Sequence, residues 1–107
     1  MKASVFEALR LAKEARAAVQ AAQGAAALVK ETPDQTAWEY ADIAYWRCRS
    51  AQKAAEEAAD WLDPAEAEDD PTVLQAHFRV TQDAQAACDA ADDLVSLAEN
   101  YNHVIRR

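Results

Sequence analysis

Residues 37–62 read AWEYADIAYWRCRSAQKAAEEAADWL, and within them Ala37, Ala41, Ala44, Cys48, Ala51, Ala55, Ala58 and Leu62 recur at alternating steps of four and three. That spacing places all eight on one stripe of an α-helix, and its length is that of a helix packed side by side with others. The same pattern runs on both sides of it. Upstream it is carried by Val5, Ala8, Ala12, Ala15, Val19, Ala22, Ala26 and Val29. Downstream it is carried by Val73, His77, Val80, Ala84, Ala87, Ala91, Leu94, Ala98, Tyr101 and Ile105.

Three stretches of the form Ser/Thr-x-x-Glu/Gln read as helix starts: Ser4 to Glu7, Thr32 to Gln35 and Thr72 to Gln75. In each, the first side chain caps backbone donors and the fourth reaches back. Pro33 stands at the first helical position of the second, where its missing N–H does no harm. The reading is helix 1 over about 4–31, helix 2 over about 33–62, an acidic linker at 63–71, and helix 3 over about 72–105. Asp63-Pro64-Ala65-Glu66 is expected to form a short turn within the linker. The fold class is all-α, an antiparallel bundle of three long helices with alanine-rich, coiled-coil-like seams, in one domain spanning 1–107.

Composition agrees. The 107 residues include 28 alanines against one glycine and three prolines, while Leu, Ile, Val and Phe together number only 18. Alanine has the highest helix propensity, but each buried alanine removes little area from water, so the core is thin. Larger residues are expected to thicken its two ends: Phe6, Leu9, Leu11, Trp61, Leu74 and Phe78 at one, Leu28, Trp38, Tyr45 and Leu97 at the other. Three similar blocks, at 21–26, 54–59 and 86–91, recur at offsets of 33 and 32, one in each helix, and read as three similar helices packing through alanine.

No apolar stretch approaches the roughly 18 residues of a membrane span. The opening Met1-Lys2-Ala3-Ser4-Val5-Phe6-Glu7 lacks the apolar run of a secretory signal, so the expected location is cytoplasmic. Cys48 and Cys88 fall at one level of a helix 2–helix 3 hairpin, and in that compartment they read as free thiols, with a disulfide as the alternative. They lack Cys-x-x-Cys spacing, which disfavours zinc. His77 reads as a boundary residue of the seam, and His103, four after Glu99, as a surface pair. The acidic linker lacks the order of a calcium loop, and no nucleophile with a base, phosphate-cradling glycine loop or dinucleotide fingerprint is present. The expectation is a non-enzymatic protein with no metal and no cofactor.

The net charge of −8 is unevenly placed. Residues 1–53 hold eight basic and six acidic side chains; residues 54–107 hold three and thirteen. Such a second half repels nucleic acid. Glu56, Glu57, Asp60, Asp63, Glu66, Glu68, Asp69 and Asp70 lie in a stretch without a lysine or arginine, with Asp89, Asp92 and Asp93 beyond it. The leading expectation is therefore a protein-binding module whose acidic helix 2/helix 3 surface docks on a basic partner protein. That is the design of an inhibitor of nucleic-acid-handling proteins, of immunity or anti-defence type, because arrayed carboxylates can occupy a phosphate-binding groove. The alternative is a self-assembling or adaptor bundle. It would use the aromatic patch Tyr40, Ile43 and Trp46, flanked by Arg47, Arg49 and Lys53, with a homodimer as one outcome.

Overall fold

The computed structural model describes residues 3–62 and 70–105. Three helices make up the fold: α1 (Ala3–Glu31), α2 (Gln35–Trp61) and α3 (Pro71–Asn100). Every pair of them packs together, giving an all-α three-helix bundle in a rod of 51 × 17 × 17 Å.

The second and third helix starts differ from the sequence reading for one reason: an aspartate wins the cap. α2 begins at Gln35 because Asp34 takes an extended conformation and accepts from the Ala37 N–H at 2.8 Å. Thr32 instead closes α1, its N–H reaching Leu28 O at 2.8 Å. At α3, Asp70 accepts from the Thr72 N–H at 2.9 Å and Pro71 occupies the first turn. A carboxylate is at least as good a cap as a threonine hydroxyl, and proline suits the position after it. α1 already includes Ala3, so Ser4 lies inside the helix. The turn expected at 63–66 lies outside the described residues.

α3 stops at Asn100, short of the expected 105. Asn102 adopts φ 56°, in the left-handed region that asparagine tolerates. The His103 N–H then bonds Ala98 O at 2.8 Å and the Asn102 N–H bonds Glu99 O at 3.1 Å, which is a Schellman closure. The tail folds back over α2. His103 stacks on Trp38 with ring centres 4.1 Å apart, Tyr101 meets Trp38 edge-on at 5.8 Å, and Ile105 is buried. His103 Nε2 lies 3.5 Å from Asp42 Oδ1, so its neighbours are Trp38 and Asp42 and not the expected Glu99. Tyr101, counted in the seam, is exposed.

The core is built on alanine. Ala8, Ala12, Ala15, Ala41, Ala55, Ala87 and Ala91 have no accessible surface, and the largest fully buried side chains are Leu94, Val5, Val29, Val80 and Cys48. The stripes shift by a residue in places: Ala18 and Ala25 are buried where Val19 and Ala26 were expected, and Ala76 replaces His77. Each helix of a three-helix bundle faces two neighbours, so its buried face is wider than a single seam, and adjacent residues divide it. Ala18 takes the α2 side, where Cys48 donates its S–H to Ala18 O at 3.3 Å.

One expectation about bulk reverses. At the end where Val5, Leu62 and Val73 close the core, Phe6, Trp61, Leu74 and Phe78 are exposed, Trp61 by 81%. Leu28 is exposed at the opposite end, while Trp38 and Tyr45 pack inside. Helix axes held close by alanine leave space between them for only a few leucines and aromatic rings.

Ala12→Leu should therefore destabilise the bundle by about 1–3 kcal/mol through overpacking, read as a lower urea midpoint. Ala27→Leu, at an exposed position of the same helix, should leave the midpoint nearly unchanged.

Candidate protein-binding surfaces

The aromatic patch of α2 divides in the folded chain. Tyr40 and Ile43 lean toward α1 and, with Leu28, Gly24 and Arg47, line an open groove of about 360 Å³ between the two helices. Tyr40 and Ile43 are 57% and 66% exposed. Trp46 stands outside this groove, edge-on to Tyr45 with ring centres 5.5 Å apart. The α1 half of the groove escaped the sequence reading because nothing local marks it. Its one signal is Gly24, the only glycine of the chain, in the middle of an alanine-rich helix.

Packing does not demand that glycine: a Cβ built at Gly24 meets nothing within 4 Å, and no glycine of the described chain has a positive φ. A mid-helix glycine costs about 0.5–1 kcal/mol relative to alanine. What its missing side chain provides is an open groove floor.

The basic flank of the patch also divides. Arg47 faces the groove, whereas Arg49 turns toward α3. Its guanidinium donates to the Tyr45 hydroxyl at 3.1 Å, to Gln52 at 3.0 Å and to Asp92 at 2.7 Å, and its Nη1 lies 3.6 Å from Cys88 Sγ. It also stands 5.2 Å from the centre of the Tyr45 ring. The Tyr45 hydroxyl first, then Asp92 and Cys88, hold it even more firmly charged than an ordinary arginine. Arg49 is thus a clasp between α2 and α3. Arg16 does the same between α1 and α3, its Nε 3.2 Å from the nearly buried Asp83 carboxylate.

The acidic residues are dispersed around the rod. Glu57 and Asp60 are exposed on α2, and Glu56, also exposed, accepts from Gln52 at 3.0 Å. Asp70 is occupied as the cap of α3. Asp63, Glu66, Glu68 and Asp69 lie outside the described residues. Asp92 pairs with Arg49, while Asp89 and Asp93 turn toward α1 and edge an alanine-floored groove.

A second basic and apolar surface appears that no single stretch of sequence reveals. Leu9, Lys13 and Arg16 of α1 meet Leu74, Phe78 and Arg79 of α3 along the other end of the α1/α3 groove. These residues are some 60 positions apart in the chain and become neighbours only because α1 and α3 run parallel.

Cys48 and Cys88 are free thiols at one level, as their position in the hairpin implies, but they face different neighbours: Cys48 the α1 backbone, Cys88 the Arg49–Asp92 clasp. His77 is half-buried beside Leu74 and Phe78 on the outside of α3. Among the described residues, no three His, Cys, Asp or Glu side chains gather as a metal ion would require, and no helix is long and apolar enough to cross a membrane.

Comparison with protein-family models, curated proteins and solved structures finds no significant match.

Burial pushes the Cys48 thiol above its ordinary value, outweighing the opposite pull of Arg47 and Arg49. The folded chain therefore keeps this proton after the unfolded chain has released its own near about pH 8.5. Stability from this site is full below that pH and declines as pH rises through and above it. Iodoacetamide at mildly alkaline pH should modify Cys88 well before Cys48, as read by peptide mass. Cys48→Ala should flatten the alkaline fall in thermal midpoint.

Proposed function

We propose that the chain is a non-enzymatic protein-binding module that grips an apolar ridge of a partner protein in the α1/α2 groove, through Leu28, Tyr40 and Ile43 over the floor left by Gly24. One observation carries this reading: a chain poor in large apolar residues buries alanine and leaves tyrosine, isoleucine and leucine outside, gathered on one groove. Exposed clusters of this kind mark contact sites, and tyrosine supplies contact area with little conformational entropy to lose. Arg47 at the rim favours a carboxylate beside the ridge.

A second reading has its own support. Beyond Arg79, α3 carries no lysine or arginine, and its carboxylates Asp89, Asp93 and Glu99 are exposed and outside the Arg16 and Arg49 ion pairs. Together with Glu57 and Asp60 these suit docking on a basic protein, as an inhibitor of a nucleic-acid-handling partner would. Contacts of that kind are salt-sensitive, whereas an apolar groove is not.

The two readings separate in one capture experiment from extract of the source cell, run with the intact chain and two variants. Gly24→Leu fills the groove floor on the surface of a helix that tolerates leucine. Glu57→Lys with Asp60→Lys reverses the outer carboxylates. The groove reading predicts a partner retained in high salt by the intact chain and by the lysine variant and lost by Gly24→Leu. Capture that Gly24→Leu leaves intact and the lysine variant abolishes would replace it with the acidic-surface reading.

A further inference from the structure

Phe78, Arg79, Gln82, Ala86, Asp89 and Asp93 recur at helical steps and share one outer face of α3, alongside the α1/α3 groove. The two ends of this face are opposites. On the N-terminal side of Ala86 it is bulky and basic: Phe78 is 67% exposed, with Arg79 and the Lys13 of α1 beside it. On the C-terminal side it is hollow and acidic: a groove of about 740 Å³, floored by Ala22, Ala26 and Ala90 and edged by Asp89 and Asp93. Arg79 and Asp93 are equally far from Ala86, about 10 Å along the axis at 1.5 Å per residue.

We propose that this face is a homodimer contact, on which a second copy of the chain packs antiparallel about a two-fold axis at Ala86. That operation sets Arg79 of each copy against Asp93 of the other, and brings Lys13, three residues before the Arg16 that pairs with Asp83, to the level of Asp92. It carries Phe78 of each copy to the level of Asp93 and Leu94 of the other. At the crossing point Ala86 has only a methyl group, so the two α3 helices can approach closely. A foreign partner would need both a basic knob and an acidic hollow at matching spacing. A second copy supplies both by symmetry, each contact being made twice, as in any isologous interface. This surface is distinct from the α1/α2 groove, which the dimer leaves open.

The test is the mass of the full chain in solution by sedimentation over a range of concentration. The expected result is twice the chain mass. Phe78→Asp and Arg79→Asp should each raise the dissociation constant about tenfold or more, with helical circular dichroism unchanged. The double variant Arg79→Asp with Asp93→Arg should recover the dimer, because the swapped charges meet again across the axis. Ile43→Asp should leave the dimer intact, which separates this face from the aromatic patch of α2. A single-chain mass at the highest soluble concentration would overturn the proposal. So would a dimer that resists both Phe78→Asp and Arg79→Asp, one abolished by Ile43→Asp, or a charge swap that fails to recover association.

Discussion

Close approach of three helix axes through alanine methyl groups is the constraint on which the rest of the molecule depends. Once the axes are set by Ala12, Ala41, Ala55, Ala87 and Ala91, the space between helices admits valine and an occasional leucine and excludes most rings. The hydrophobic effect ordinarily draws large side chains inward. Here geometry opposes it, and Ile43, Leu74 and Phe78 remain outside. The exposed apolar surface is therefore a direct consequence of how the core is packed.

An alanine seam also leaves a second problem, because identical small side chains fit one another almost equally well after a helix slides by a turn. Polar contacts at single positions fix register where apolar ones do not. Arg16 with Asp83 and Arg49 with Asp92 and Tyr45 supply them, joining a basic first half of the chain to an acidic second half. Part of the uneven charge is thus internal to the bundle. The stacking of His103 on Trp38 does similar work at one end, pinning the tail after the Schellman turn.

The fold was legible because a three-and-four spacing sustained over some 25 residues has one physical meaning, and the order of helices follows from two short connections. The ends of the helices were less so. Thr32 and Thr72 match a capping pattern, but Asp34 and Asp70 stand two residues away and bind the backbone N–H groups instead. The Tyr40–Ile43–Trp46 cluster was visible as three exposed-type residues on one helix, yet only two of them share the groove with Leu28, since steps of three walk progressively around a helix of 3.6 residues per turn. The basic surface around Phe78 was invisible because it joins side chains from α1 and α3. Periodicity along one helix carries no information about which side chains two helices bring together.

The outward surfaces lie on different sides of α1. Ala21, Gly24 and Leu28 face α2, while Lys13, Arg16, Gln23 and Ala27 face α3. The proposed dimer on the α3 side would therefore hold two α1/α2 grooves, one per copy, in a fixed relation on a rigid scaffold. Rigidity matters here: two sites whose separation is set by packed helices reward a partner that presents two ridges at that separation, and give little to one that does not. Weak binding by a small groove would then become selective binding by a pair. The same alanine packing that leaves apolar side chains outside provides the stiffness that such pairing requires.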